Sequence, residues 1–166
     1  MIYLIWLLRI IHIVGGVFWV GGALFMAFFV GPTVGAIGEP GQRFVGYLMN
    51  NLKFSTRMSI ASGSAILAGA ILYGLDARGG EAWLQSSFAM GLGIGAAFAV
   101  IGFVFGILVG RTTKGMAQLG AQFQGKPTAE QMTRIQEMQK QLRTYSIVNV
   151  LSLILATVFM AIARYL

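Results

Sequence analysis

The stretch Leu4–Val30, LIWLLRIIHIVGGVFWVGGALFMAFFV, decides the fold. It is an apolar run broken only by one charged residue, Arg9, and by the single histidine of the chain, His12. At a rise of 1.5 Å per residue, roughly 20 mostly apolar residues cross the hydrocarbon core of a bilayer as a helix. Three further stretches meet the same test, about Met58–Leu75, Phe88–Gly110 and Tyr145–Ala163. The pattern predicts an all-α integral membrane four-helix bundle, a single transmembrane domain over residues 1–166.

Composition agrees. Of 166 residues, 57% are hydrophobic and 10% charged, against about 25% charged in an average soluble domain. The mean hydropathy is +0.76. Such a chain is neither disordered, nor a nucleic-acid-binding module, nor an ordinary cytosolic enzyme. With no cysteine, it has no disulfide, iron–sulfur cluster, thiolate zinc site or covalent haem attachment.

The net charge of +7 follows the membrane rather than a nucleic acid. Nine of the twelve basic residues fall in the first and third connections: Arg43, Lys53, Arg57, Arg111, Lys114, Lys126, Arg134, Lys140 and Arg143. These connections share one side, so the positive-inside bias predicts that both lie in the cytoplasm and both termini lie outside. A bacterial plasma membrane is the simplest placement. The N-terminus lacks a charged leader and a small-residue cleavage site, so Met1–Val30 is expected to persist as a helix.

The cytoplasmic connections read as helical. Thr128-Ala129-Glu130-Gln131 has the form of a capping box, preceded by turn residues Gly125 and Pro127. Met132, Ile135, Met138 and Leu142 then recur at helical spacing into the fourth span. Gly110–Phe123 has no proline and can prolong the third helix. Gly38-Glu39-Pro40-Gly41 reads as a turn, with Pro40 near the start of a helix running through Lys53 into the second span. Two hairpins are thus expected to project about 15–25 Å from the membrane, as solvated helix ends, a docking surface for another subunit, or a basic face on anionic lipid.

Close approach of small residues drives helix association in lipid. Gly91, Gly95, Ala99, Gly102, Gly106 and Gly110 form one ridge on the third span, and Ala61, Ala65 and Gly69 one line on the second. Both are expected to hold the bundle together, with homo-oligomer or partner-subunit contact as the alternative.

Catalytic groups are scarce. The acids Glu39, Asp76, Glu81, Glu130 and Glu137 all lie in connections, so neither a carboxylate proton relay nor a carboxylate-bridged metal centre is supported. Gly91-x-Gly93-x-Gly95 sits inside an apolar span and is no nucleotide fingerprint. The chain alone is not expected to be catalytic. Two residues break the first span. Arg9 can snorkel to the outer surface or pair with an anionic ligand group such as a haem propionate. His12 shares a helical face with Gly15, Gly16, Trp19, Gly22, Ala23 and Met26. Glycine one turn from a histidine leaves a hollow where a flat macrocycle can lie, with Trp19 as a wall. Alternatively His12 bonds a neighbouring helix and the glycines serve packing, or the imidazole handles protons.

His12-x6-Trp19-x-Gly21-Gly22, within HIVGGVFWVGGALFMAFFVGP, resembles the first helix of a group of small bacterial membrane proteins. The group comprises the copper resistance protein D family, the HemJ-type protoporphyrinogen oxidases and the membrane part of the membrane-anchored urate oxidases. The match covers about Leu4–Pro32, with a weaker one over Leu52–Gly74. The resemblance implies a helical bundle with a b-type haem, or a copper-handling role, at His12. Phe28-Phe29-Val30-Gly31-Pro32 stands where HemJ-type proteins carry a second histidine, and the nine methionines are scattered rather than paired along a path.

With haem on His12, the other axial position is empty, filled by another chain's His12, or filled by methionine. Helical rise puts Met90 nearest in depth and ranks it above Met160. Three functions follow as expectations: a membrane haem b protein for electron transfer or haem handling, a non-catalytic accessory subunit of a larger membrane complex, and a copper import or tolerance protein.

Overall fold

The computed structural model describes residues 2–123 and 127–166. The expected turn residue Gly125, the basic residue Lys126 and the initial Met1 lie outside the described residues. Four helices are long and apolar enough to cross a membrane. They are α1 (Ile2–Ile37), α3 (Phe54–Asp76), α5 (Ser87–Gly120) and α6 (Ala129–Ile162). A surface helix, α2 (Glu39–Asn50), joins the first two, and a single turn, α4 (Glu81–Leu84), lies between α3 and α5. The described residues contain no strand. The chain is a multi-pass membrane four-helix bundle with lipid as its outer solvent, and large apolar side chains such as Ile13, Val17, Ile60 and Leu67 stand exposed on its flanks.

Neighbours in sequence pair. α1 packs mainly on α3, and α5 mainly on α6; α1 also touches α6, and α3 touches α5. The α5 glycine ridge meets α6 as expected. A methyl group at Gly91 would meet Ala163 and Leu166, at Gly95 Met160, and at Gly102 Leu153. Gly106 faces the Asn149 amide, whereas Gly110 faces open space. Methionines fill several such notches: Met58 lies on Gly22, Met138 on Gly115 and Met160 on Gly95. An unbranched thioether adapts to a notch of irregular shape, which accounts for their scatter along the sequence. One third of the membrane window of α6 is buried, against 11% in α1, so α6 is the element on which the bundle centres. The buried Asn149 donates its Nδ2–H to Gly102 O at 2.6 Å, tying α6 to α5.

The first span extends further than its apolar run. Pro32 has no N–H to give to Phe28 O, which would break a regular helix there. The chain inserts a π-helical turn over Met26–Val30, with Gly31 N–H donating to Met26 O, and continues to Ile37. A π-bulge absorbs the proline without ending the helix. Gly38, at φ +64°, ends it in a conformation that suits glycine.

The helix expected to run from Pro40 through Lys53 into the second span is interrupted. α2 stops at Asn50, Asn51 and Leu52 both donate backbone N–H to Tyr47 O, and Lys53 takes the left-handed conformation at φ +49°. α2 folds back against the end of α1, so the chain must change direction before it enters α3. The capping box forms as expected: Gln131 N–H donates to Thr128 Oγ1 at 3.2 Å and Thr128 N–H to Gln131 Oε1 at 2.9 Å. α5, with 34 residues, is about 51 Å long at 1.5 Å per residue and extends about 20 Å beyond the hydrocarbon core. The two hairpin connections therefore project from one side, the tip side. At the other, terminal side Tyr73, Trp83 and Phe88 form an edge-to-face series with centroids 5.1 and 6.4 Å apart, as aromatic side chains do at membrane interfaces.

Candidate functional site

His12 sits between α1 and α3, half-buried. Its Nδ1 lies 2.7 Å from Ala65 O. A carbonyl oxygen only accepts, so Nδ1 carries the proton, and in the neutral imidazole Nε2 keeps its lone pair. Gly69 makes this approach possible. A methyl group there would lie 2.7 Å from His12 Cε1, 2.8 Å from Nδ1 and 3.7 Å from Nε2. The Nδ1–Cε1 edge thus rests on bare backbone, and Nε2 is the ring nitrogen farther from Gly69.

The two glycines beside His12 have different roles. Gly15 is closed by α3: a methyl group would meet Ala61 O at 3.0 Å, Ser64 Oγ at 3.2 Å and Ala65 Cβ at 3.4 Å. Its hollow is a helix-packing notch rather than a cradle. Gly16 has nothing within 4 Å of an added methyl group, so that flank of α1 faces open space. Trp19 is 6% exposed and meets Phe103 of α5 edge-on, with centroids 6.2 Å apart. It is a core side chain joining the two helix pairs. Arg9 is exposed, as snorkelling to the terminal-side interface requires.

Depth reverses the ranking of the methionines. The Trp19–Phe103 contact brings α1 and α5, which run the same way, into register. His12 lies seven residues before Trp19 and Met90 thirteen before Phe103, so Met90 is about 9 Å nearer the terminal side than His12. Met90 is also 60% exposed to lipid. Met160 packs on Gly95, eight residues before Phe103, and so lies within about 2 Å of the depth of His12. The expected order, Met90 above Met160, is corrected to Met160 above Met90. The sequence supplied helical rise but not the stagger between helices.

The site thus offers one imidazole nitrogen with a fixed tautomer beside a glycine flank that is open, the donor set of a single strong ligand. Among the described residues no three His, Asp or Glu side chains gather as a metal-holding group. The sequence singled out Ala61, Ala65 and Gly69 as a packing line but gave no sign that this line receives His12. Asn149, a buried amide of the fourth span, also escaped notice, because a lone amide in an apolar run has no periodic signature. Comparison with protein family models, curated proteins and solved structures finds no match to this chain.

Proposed function

We propose that the chain is an integral membrane haem b-binding protein serving electron transfer or haem handling, with His12 as axial ligand. The Nδ1–H···O bond to Ala65 carries this reading. Metal-ligating histidines characteristically donate their second ring nitrogen to a carbonyl or carboxylate, which fixes the tautomer, orients the ring and raises the basicity of the coordinating nitrogen. Bound haem would supply one-electron chemistry at the iron. The chain would hold the imidazole plane on Gly69, leave room beside Gly16, keep water from that level of the bundle and offer Arg9 to an anionic substituent. Met160 is the intramolecular candidate for the opposite axial position, and a second copy of the chain is the intermolecular one. The resemblance of the first span to haem- and copper-handling membrane proteins supports the same residue.

On this reading the basic tip side faces the cytoplasm of a bacterial cell and both termini lie outside, which the charge bias of the connections supports. Purified protein, reduced with dithionite, should show a b-type α-band that is absent in His12→Ala and restored to His12→Gly by imidazole. A protein expressed under haem sufficiency with no Soret or α-band sinks the reading.

One observation favours a second reading. The Gly15 notch is filled by Ala61, Ser64 and Ala65, and the His12–Ala65 bond itself ties α1 to α3. These are the contacts of a rigid, non-catalytic accessory subunit whose histidine is structural. Co-purification of a partner subunit with a haem-free chain would establish it.

A further inference from the structure

The flank of α1 that faces lipid beside α3 carries an open groove of about 520 Å³. Ile10, Val14, Phe18 and Ile60 form its apolar walls, Gly15 and Ala61 also line it, and Arg57 closes its tip-side end. The other polar side chain along it, Ser64, is engaged with Ala61 O at 3.0 Å. Gly22 of α1 meets Met58 of α3, which places the neighbouring Arg57 about twelve residues, or about 18 Å, from Ile10 along the bundle. One leaflet of hydrocarbon is about 15 Å deep. The groove therefore has the length of one acyl chain hanging from the interface.

Its mouth is cationic. Arg57 is exposed, and Lys53, also exposed, is the residue from which α3 starts, its carbonyl accepting from Arg57 N–H at 3.1 Å. The single ion pair among the described residues is Glu39 with Arg43, at 2.7 Å, so no carboxylate neutralises this end. α3 also begins there without a side-chain cap, leaving first-turn N–H groups and the positive end of the helix dipole toward the same point.

We infer that this groove binds an anionic phospholipid of the tip-side leaflet, with one acyl chain along Phe18, Val14 and Ile10 and the phosphate held by Arg57 and Lys53. A lipid, rather than a partner helix, is the occupant that satisfies both the apolar channel and the cationic mouth at one interface. The inference is independent of haem on His12.

The test is native mass spectrometry of the full chain released from micelles doped equally with dioleoyl phosphatidylglycerol and dioleoyl phosphatidylcholine. Wild-type chain should retain one phosphatidylglycerol in preference to phosphatidylcholine. Arg57→Gln should lower that retention about fivefold, and Lys53→Gln by a similar factor. Val14→Trp, which fills the channel from an exposed position, should abolish the preference with all charges intact. Lys140→Gln, remote from the groove, should leave it unchanged, and circular dichroism should show each variant folded. Equal retention of the two lipids by wild type, retention by Arg57→Gln or Val14→Trp at the wild-type level, or full displacement of the lipid by inorganic phosphate would overturn the inference.

Discussion

Substituting Gly69 with alanine puts the architecture around His12 to its most direct test. The added methyl group would lie 2.7 Å from Cε1 and 2.8 Å from Nδ1, where ordinary contacts begin at 3.4 Å. Either the ring or the α1–α3 separation must give by about 0.7 Å, and the 2.7 Å bond to Ala65 O does not survive either response unchanged. Overpacking of this kind costs about 1–3 kcal/mol. An interhelical hydrogen bond in a membrane protein contributes about 0.6 kcal/mol on average and up to about 1.7. Gly63→Ala is the matched control: it lies on the same helix with nothing within 4 Å, so the change in helix propensity cancels between the two. Gly69→Ala should therefore be less stable than Gly63→Ala by about 2–4 kcal/mol. Equilibrium unfolding in mixed micelles, followed by circular dichroism, gives the difference. In a His12→Ala background the penalty should vanish, because the clashing ring is gone, so the coupling energy between the two positions equals the whole penalty, about 2–4 kcal/mol. Equal stability of the two alanine variants, or a penalty that persists without the imidazole, would refute the packing of His12 on Gly69.

Other expectations follow from single contacts. Gly102→Val drives two further methyl groups toward Leu153, already 2.8 Å from the first, and should cost roughly 3 kcal/mol, recovered in part by Leu153→Ala; the same unfolding assay reads both. Asn149→Leu keeps the volume and loses the bond to Gly102 O, so it should destabilise by about 0.5–1.5 kcal/mol; an unchanged midpoint would mean that the amide does not tie α6 to α5. Thr128→Ala removes the cap of α6 at about 1 kcal/mol, seen as faster amide exchange in Ala129–Met132 with the membrane-embedded turns unaffected. If Met160 is the second axial ligand, Met160→Leu should shift the α-band and reduction potential of the haem form while Met90→Leu leaves both alone.

The chain by itself determined the elements. Four apolar runs, the scarcity of charge and the capping signature at Thr128 are local properties, and lipid demands that each span satisfy its own backbone as a helix. The small-residue ridge of the third span was equally legible, because an i,i+4 pattern needs no knowledge of its partner. Proline and the surface helix were read less well. The first span, bounded at Val30 in the sequence, runs on past Pro32 to Ile37 by way of a π-turn, while the helix from Pro40 breaks before Lys53 because the chain must reverse against the end of α1.

Tertiary structure alone decided what His12 touches. Stagger and rotation between helices follow from the sum of many shallow contacts, and no single residue encodes them. They bring Gly69 and Ala65 O to the imidazole, commit Gly15 to packing while leaving Gly16 open, turn Trp19 into the core against Phe103, and place Met160 rather than Met90 at the depth of the ring.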